Sequence, residues 1–257
     1  MRLRQFINIF LMVWCVIASV SIWAEPTRWQ TVQPGLEYTR ISDFPGFPGG
    51  SIHAFRIDLK YYNFKLALTQ KADQTSQIPE LMQQQGAVIA VNGGFFSPEF
   101  KPLGLRISEG QELNPLKGTP WWGVFYIVGQ QAHIVARNAY KPNTLSDFAI
   151  QAGPRLLVDG VIPGLSPNID FRTALGITEQ GQVILLATDN VLLSTAGLAD
   201  IMRRSSANGG LACIAAINLD GGHSTQLYTR LKNLALQVPS YAPVADAILV
   251  MPRQGQE

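Results

Sequence analysis

Short apolar runs separated by turn residues recur along most of this chain, and they constrain its fold more than any other feature. Runs of this length and pattern are typical of strands in a packed sheet. Dipeptides typical of tight hairpins lie between neighbouring runs, at Glu109-Gly110, Gly129-Gln130, Asp159-Gly160 and Gln180-Gly181. The pattern predicts frequent antiparallel pairing among strands at Ile52–Asp58, Phe64–Thr69, Ala87–Val91, Trp122–Val128, Ala132–Ala136, Arg172–Thr178, Val183–Thr188, Cys213–Leu219 and Ala247–Met251.

Two segments have the features of helices. Ile78–Gln85 follows the candidate caps Thr75 and Ser76, and Pro79 suits its first turn. Leu198–Ala207 carries apolar residues on one face and ends before a glycine pair. Strands dominate, the helices are interspersed among them, and no low-complexity linker divides the chain. We therefore predict a single α+β domain, with a strand-rich mixed or antiparallel sheet and a few helices.

The N-terminus has the order of a secretory signal. Arg2 and Arg4 precede an apolar run that ends at Ile22, and the small residue Ala24 follows. We predict a signal peptide over residues 1–24, with an uncleaved anchor as the alternative, and export to the periplasm or the medium in either case. Residues 25–50 are expected to form a less regular approach segment to a domain over residues 51–252. After cleavage no membrane association is expected.

Composition excludes several classes of protein. Apolar residues make up 47% of the chain and charged residues 15%, which is typical of a globular protein and not of a disordered one. The net charge of +2 comes without a basic run, so no nucleic-acid partner is expected. Cys213 would be the sole cysteine after signal cleavage, and its apolar run predicts a buried, inert thiol. The chain has no P-loop lysine motif, no Gly-x-Ser-x-Gly elbow and no His-rich zinc set.

Two apolar runs end in the same way, in a polar residue followed by two glycines. One run leads into Asn92-Gly93-Gly94 and the other into Asp220-Gly221-Gly222. We expect the two strands to bring polar groups to the same kind of place. The amides of Gly93 and Gly94 could bind an anion, or Asn92 could cap its own turn. Asp220 could be functional, because a carboxylate beside apolar residues needs a partner, or it could hold turn amides.

Other charged residues lie beside predicted strands. Arg155 and Arg172 could each grip a phosphate or a carboxylate, or form a structural ion pair. Asp189 ends a predicted strand and could be a second acid, a hydroxyl acceptor or part of a turn. His223 lies close to Asp220 in the sequence, although a lone histidine is more often not catalytic.

Taken in order, four motifs resemble the phosphodiester glycosidase family. They are Asn92–Phe96, Gly153-Pro154-Arg155, Arg172–Gly176 and Asn218–Gly222 with Ser224. The resemblance covers roughly Ile52 to Met251. The chain departs from the family at two places: His223 replaces a frequent third glycine, and Thr188-Asp189-Asn190 stands where Asp-Gly-Arg is common.

The resemblance implies an exported glycoside hydrolase that cleaves a sugar from a phosphate at the anomeric carbon of a glycosyl phosphodiester. Positive charge develops on the sugar ring in such a reaction, so Asp220 is the expected principal carboxylate and Asp189 the second. Arg155 and Arg172 would hold the departing phosphate. The remaining candidate substrate-binding residues are Asn92, Gly93, Gly94, Thr173, Gly221, Gly222, His223 and Ser224.

Two other functions remain open at this point. The same cleft could belong to a non-catalytic periplasmic binder of envelope glycans or sugar phosphates. It could also belong to a phosphodiesterase that breaks the P–O bond, a reaction that usually recruits metal ions. No cofactor and no catalytic metal are expected, although Asp220, Asp189 and Asn218 could hold a structural Ca²⁺. The expected partner is a small-molecule or glycan phosphodiester.

Overall fold

A computed structural model of the chain describes residues 25–69, 77–141, 145–240 and 242–253. The expected signal peptide, residues 1–24, and the candidate caps Thr75 and Ser76 lie outside the described residues. The helices are α1 (Ile78–Gln85) and α2 (Thr195–Arg203). The strands are β1 (Gln30–Gln33), β2 (Leu36–Ile41), β3 (Ser51–Ile57), β4 (Tyr62–Leu68), β5 (Ile89–Asn92), β6 (Arg106–Ser108), β7 (Gln111–Asn114), β8 (Gly123–Val128), β9 (Gln131–Ala136), β10 (Phe148–Ala152), β11 (Arg155–Leu157), β12 (Ile169–Asp170), β13 (Thr173–Thr178), β14 (Val183–Asp189), β15 (Leu193–Ser194), β16 (Cys213–Asn218), β17 (Leu227–Thr229), β18 (Gln237–Val238) and β19 (Asp246–Pro252).

The strands form three main sheets, and their paired neighbours are antiparallel. The seven-stranded sheet has the order β1-β2-β3-β14-β13-β16-β11. One five-stranded sheet, the β5 sheet, has the order β18-β17-β5-β19-β4. The other, the β8 sheet, has the order β7-β6-β10-β8-β9, and β12 pairs with β15. The predicted α+β class is confirmed, with a single strand-rich domain.

One large apolar core lies among the three sheets. Phe55 and Leu175 reach it from the seven-stranded sheet, Val91 from the β5 sheet, and Phe125 and Phe148 from the β8 sheet. Each side chain of this kind stabilises the fold by about 2 kcal/mol when it leaves water. The core therefore fixes how the sheets sit against one another, and with them the loops that connect the sheets.

Each helix covers the outer face of a different sheet. Leu198 and Met202 of α2 pack on the seven-stranded sheet, and Ile78 and Met82 of α1 pack on the β5 sheet. The predicted bounds of α1 are confirmed. No helix in the described part of the chain is long and apolar enough to span a bilayer.

The predicted bounds of α2, Leu198–Ala207, are wrong at both ends. The helix begins at Thr195, because the Ser194 hydroxyl accepts a hydrogen bond from the Gly197 amide at 3.0 Å and caps the first turn. It ends at Arg203, and residues Ser206–Asn208 form a separate 3₁₀ turn.

The approach segment, residues 25–50, is more regular than predicted. It contains β1 and β2, and β2 pairs along its length with β3 of the seven-stranded sheet. The sequence signal is weak there because β1 is an edge strand with exposed polar residues, so it lacks an apolar run. The segment lacks regular structure only before Gln30, in the turn between β1 and β2, and after Ile41.

Cys213 at the start of β16 is a free, buried thiol, as predicted. Burial raises its pKa, because the thiolate would lie in apolar surroundings. The thiol therefore stays protonated and unreactive at neutral pH.

One end of the seven-stranded sheet gathers the predicted site residues. Antiparallel neighbours run in opposite directions, so the ends of β14 and β16 lie beside the start of β13. Asp189 closes β14, Arg172 precedes β13, and Asp220 lies just beyond β16. Arg155 opens β11, opposite Ile217 of β16. The sheet thus places four charged residues from distant parts of the sequence along one edge.

Candidate active site

The two turns that begin with a polar residue and two glycines meet. The Asp220 amide donates to the Gly93 carbonyl at 3.4 Å, and the Asn92 side-chain amide donates to the Asp220 carbonyl at 2.8 Å. Because β5 and β16 belong to different sheets, these bonds join the β5 sheet to the seven-stranded sheet. The sequence predicts only that the two strands bring polar groups to the same kind of place; in the structure the two turns are in direct contact.

Asn92 is fully buried, and its side chain holds the junction together. Its Oδ1 accepts from the Thr173 hydroxyl at 2.7 Å and from the Gln226 amide at 3.3 Å, while its Nδ2 donates to Asp220. The sequence predicts that Asn92 and Thr173 contact substrate. The structure instead gives both side chains protein partners, so they position the backbone of Asp220.

The amides of Gly93 and Gly94 are also occupied within the protein. Gly93 donates to the Asp246 carbonyl at 2.9 Å, and Gly94 donates to Asp246 Oδ1 at 3.0 Å. In the structure, both amides that the sequence suggests for ligand oxygens are thus engaged by Asp246. Glycine is needed here for space, because a Cβ atom on Gly93 would overlap the Asp246 carboxylate and one on Gly94 would overlap the Arg106 guanidinium.

A buried ion pair that the sequence reasoning missed supports this turn. Arg106 Nε lies 2.5 Å from Asp246 Oδ2, and the two side chains are 0% and 1% exposed. The remaining Arg106 nitrogens donate to backbone carbonyls, so the charge is well satisfied. The accepting carbonyls belong to Phe95, Leu103, Gly104, Leu105 and Gln151.

Asp220 carries the unusual electrostatics of the site. Its carboxyl is largely buried, and this burial raises its pKa from 3.8 to about 6. The Ser224 hydroxyl, the Gly221 amide at 2.9 Å and the charge of Arg106 act in the opposite direction, and the charge of Asp246 adds to the rise. A largely buried carboxyl with a pKa raised toward neutral pH is typical of catalytic acids and bases.

The two glycines after Asp220 shape a tight turn. Gly222 has φ of +60°, a left-handed conformation that glycine adopts without strain. A Cβ atom on Gly221 would lie 2.5 Å from the Phe171 carbonyl, which also accepts the Gly222 amide at 2.9 Å. The 3₁₀ turn that follows, Gly222–Ser224, leaves the His223 side chain exposed and brings Ser224 back to Asp220.

Arg172 serves mainly as a brace. Its side chain is buried, and it donates from Nε to the Leu193 carbonyl at 2.8 Å and from Nη2 to the Asn168 carbonyl at 2.5 Å. Burial lowers its pKa, although the neighbouring Asp170 opposes this. These bonds tie the β12–β15 ribbon to the start of β13. Nε and Nη2 of the guanidinium therefore hold the backbone beside the site in place. Among the described residues, only Nη1 lacks a hydrogen-bond partner.

Arg155 differs from Arg172. Its stem packs on Gly123, where a Cβ atom would lie 2.7 Å from Arg155 Cγ. Within the described residues its guanidinium makes no ion pair and no hydrogen bond. The backbone just before Arg155 is fixed, because the backbone amide of Asn218 donates to the Pro154 carbonyl at 3.0 Å. Arg155 is therefore a cation held beside the site with its donors available for a ligand.

Asp189 belongs to a different cluster. The order β14-β13-β16 places it two strands, roughly 10 Å, from the end of β16. Its carboxylate lies 3.6 Å from His53 Nε2 and accepts from Asn190 Nδ2 at 2.9 Å. The carboxylate whose charge acts on Asp220 is that of Asp246, which the sequence reasoning did not consider.

His53 was also missed by the sequence reasoning. It is buried, and its ring nitrogens lie 2.7 Å from the Tyr38 hydroxyl and 3.2 Å from the Ser51 hydroxyl. Burial lowers its pKa, and the charge of Asp189 opposes the shift. The alternation of polar His53 with apolar neighbours in β3 was the available signal, but alternation by itself predicts only a half-buried strand.

The residues suggested for a structural Ca²⁺ do not form a compact ligand set. Asp220 and Asp189 are two strands apart, and Asn218 Nδ2 donates to the Gly153 and Leu219 carbonyls. In the part of the chain that the structure describes, no group of three or more His, Cys, Asp or Glu side chains could hold a metal ion.

Comparison with known proteins decides the family. A model of the phosphodiester glycosidase family matches residues 85–251, which is more than half of the chain. The chain belongs to this family. The matched region contains Asp220, Arg155, Asp246 and both glycine turns, whereas β1 to β4 lie outside it.

Part of this chain also matches the sequence of a bacterial relative. The uncharacterized protein YigE of Escherichia coli K12 is 36% identical over 118 residues, and the match covers 41% of this chain and 46% of YigE, so it spans less than half of that relative.

Two solved structures share the fold. The catalytic domain of zebrafish N-acetylglucosamine-1-phosphodiester alpha-N-acetylglucosaminidase, auto-inhibited by its pro-peptide, has a TM-score of 0.66 at 16% identity, with 89% of each chain covered. A hypothetical protein from Synechocystis has a TM-score of 0.60 at 17% identity, covering 90% of this chain and 64% of that one.

Proposed function

We propose that this protein is an exported glycoside hydrolase that cleaves a sugar from a phosphate at the anomeric carbon of a glycosyl phosphodiester. The observation that carries the proposal is the Asp220 carboxyl, with its pKa raised to about 6, at the junction of the two glycine turns. Membership of the phosphodiester glycosidase family supports the reaction class. Because the zebrafish protein of the same fold is an N-acetylglucosamine-1-phosphodiester alpha-N-acetylglucosaminidase, N-acetylglucosamine is a first sugar to test. The N-terminal sequence supports export.

Asp220 is suited to the charge that this reaction creates. Departure of the phosphate leaves positive charge on the sugar ring, and a carboxylate beside the anomeric carbon stabilises it or attacks it. A partly desolvated carboxylate interacts with that charge more strongly than one in water. Asn92 fixes the Asp220 backbone, and Ser224 and the Gly221 amide orient its side chain. The residues around Asp220 thus hold one carboxylate in a defined position.

The phosphate needs donors more than it needs an acid. A phosphate monoester is already a good leaving group, so cations that hold it contribute more than proton donation. Arg155 is the first candidate, because its guanidinium has no partner among the described residues. Arg172 Nη1 is the second. Asp189, which pairs with His53, takes the role of a second carboxylate only if the sugar reaches across β13, the strand between β14 and β16.

Product analysis with matched variants tests the proposal. The mature protein is incubated with a panel of α-glycosyl phosphodiesters that includes N-acetylglucosamine 1-phosphodiesters. Wild type should release free sugar and a phosphomonoester, and Asp220→Asn should not. Asp58→Asn is the control, because Asp58 is also half-buried and accepts a backbone amide, that of Lys60 at 2.8 Å, at the far end of β3. This variant should keep wild-type turnover.

Other product patterns point to the alternatives. Release of sugar phosphate that stops with a chelator would identify a metal-dependent phosphodiesterase. Binding of the panel without any turnover, unchanged in Asp220→Asn, would identify a glycan binder on the same fold. Full glycosidase activity in Asp220→Asn would remove Asp220 from the mechanism.

A further inference from the structure

A pair of tryptophans lies next to the glycine turns. Trp122 is buried, and its ring stacks on Phe95 with centroids 5.2 Å apart and an interplanar angle of 23°. Phe95 directly follows Gly93-Gly94. Trp121 packs edge-on against Trp122 at 5.7 Å and is 59% exposed. An exposed indole that packs on a buried tryptophan, itself stacked on a half-buried phenylalanine, is a rigid platform for a flat ligand surface.

The backbone links this platform to Asp220. A Cβ atom on Gly153 would lie 2.9 Å from Trp122 Cδ1, so the tryptophan packs directly on this glycine. The Gly153 carbonyl accepts from Asn218 Nδ2 at 3.3 Å, and Asn218 is two residues before Asp220. The platform and the carboxyl are therefore held at the same edge of the molecule by short, rigid connections.

Cations surround the platform. Lys117 Nζ lies 6.0 Å from the Trp122 ring centroid, and Arg155 packs on Gly123, the residue after Trp122. The Arg137 amide donates to the Trp122 carbonyl at 3.1 Å, and its side chain donates to the Lys117 carbonyl. None of these three basic side chains is in an ion pair with a described residue. The local field therefore favours an anion.

We propose that Trp121, Trp122, Lys117, Arg137 and Arg155, the tryptophan subsite, bind an anionic glycan joined to the scissile phosphate. This inference rests on the proposed function and names its substrate class more closely. A sugar ring stacks on the exposed indole, and its phosphate or carboxylate groups meet the cations. A lipid chain would leave these charges unpaired, so the platform does not suit one.

The experiment measures binding separately from turnover. Calorimetry with Asp220→Asn, which retains the subsite, uses neutral maltotriose, maltotriose bearing one phosphate monoester, and trigalacturonate. The phosphorylated probe should bind about tenfold more tightly than neutral maltotriose, because its phosphate meets the cations. Stacking of a sugar ring on Trp121 should contribute about another tenfold to the affinity. Trp121→Ala should therefore weaken it about tenfold and Lys117→Ala about threefold. Trigalacturonate binding equal to the phosphorylated probe would assign the anion as any acidic glycan; weaker binding would assign phosphate.

Matched controls separate the subsite from general surface effects. Lys60→Ala removes a lysine that also lies over an aromatic ring, Tyr61 at 5.5 Å, and Val161→Ala shortens another exposed apolar side chain. Both should leave binding unchanged. Equal affinity for neutral and anionic probes, absence of binding, or equal losses in the controls would overturn the proposal. Because none of these outcomes depends on turnover, failure of the proposed function would be recognised separately, by product analysis.

Discussion

Asp220 and Asp246 both bond to the backbone of Gly93, yet their surroundings differ. Asp220 donates its amide to the Gly93 carbonyl, and Asp246 accepts the Gly93 amide. The Asp246 carboxylate is matched by Arg106 and the Gly94 amide, inside the protein. The Asp220 carboxylate has only a hydroxyl and its neighbour's amide, and burial raises its pKa. The same residue type therefore serves as framework where its charge is matched and has a raised pKa where it is not.

Removing the matched carboxylate should have the largest effect. Asp246→Ala leaves the Arg106 guanidinium buried without its counter-ion, so the free energy of unfolding should fall by about 3–5 kcal/mol. Urea unfolding measures the change. Asp200→Ala, which removes an exposed carboxylate that pairs with Arg203 and Arg204, should change stability by less than about 0.5 kcal/mol. Similar losses in the two variants would contradict the framework role.

Crowding the turn between the two aspartates should have the next largest effect. Gly93→Ala pushes a methyl group into the Asp246 carboxylate, which is tied to Arg106, so stability should fall by about 3 kcal/mol. Gly164→Ala is the control, since a Cβ there meets nothing within 4 Å. Thermal unfolding of both variants gives the comparison. A Gly93→Ala variant as stable as wild type would show that Asp246 can move freely.

Neutralising the unmatched carboxylate should stabilise the protein. Because the folded pKa of Asp220 is about 6 and the unfolded value is 3.8, the folded state binds the proton more tightly. The ionised form therefore costs stability above pH 6, and that cost disappears below pH 3.8. Asp220→Asn should be more stable than wild type by about 2 kcal/mol at pH 7.5, with the difference shrinking as the pH falls. A variant less stable than wild type at pH 7.5 would contradict this account.

The smallest expected effect is a dependence of activity on pH in the wild-type protein, which tests the ionisation of Asp220 directly. If the carboxylate form of Asp220 is the active one, kcat/KM should rise with pH, with a midpoint near 6, and fall about tenfold per pH unit below it. Initial rates, measured across this pH range on a glycosyl phosphodiester that the protein hydrolyses, give the profile. Rates that instead decline as the pH rises through 6 would make Asp220 a proton donor rather than a carboxylate.

The sequence could predict the junction but not what supports it. Asn92-Gly93-Gly94 and Asp220-Gly221-Gly222 stood out because each follows a run of apolar residues, and the structure brings them together. Asp246 also adjoins an apolar run, which it precedes, but its partner could not be recognised. Arg106 opens a strand of only three residues, β6, which is too short to stand out in the sequence, and the pair is 140 residues apart. Long-range pairing of this kind leaves no local pattern.

The same limit explains Asp189 and Arg172. A carboxylate at a strand end and an arginine beside a strand were reasonable candidates, and the edge of the seven-stranded sheet does carry both. Their partners decide what they do, and those partners, His53 and the carbonyls of Asn168 and Leu193, come from other strands and loops. Arg155 was proposed on the same grounds, and its lack of a partner became visible only in three dimensions.

The bond between Asn92 and Asp220 joins residues 128 positions apart, and this has a consequence for the order of folding. Closing so long a loop is slow, and its entropy cost must be met before the contact stabilises anything. During synthesis Asn92 and Arg106 emerge long before Asp220 and Asp246, so the early part of the chain must wait for the last strands. Catalytic competence should therefore be among the last properties that a newly made or refolding molecule acquires.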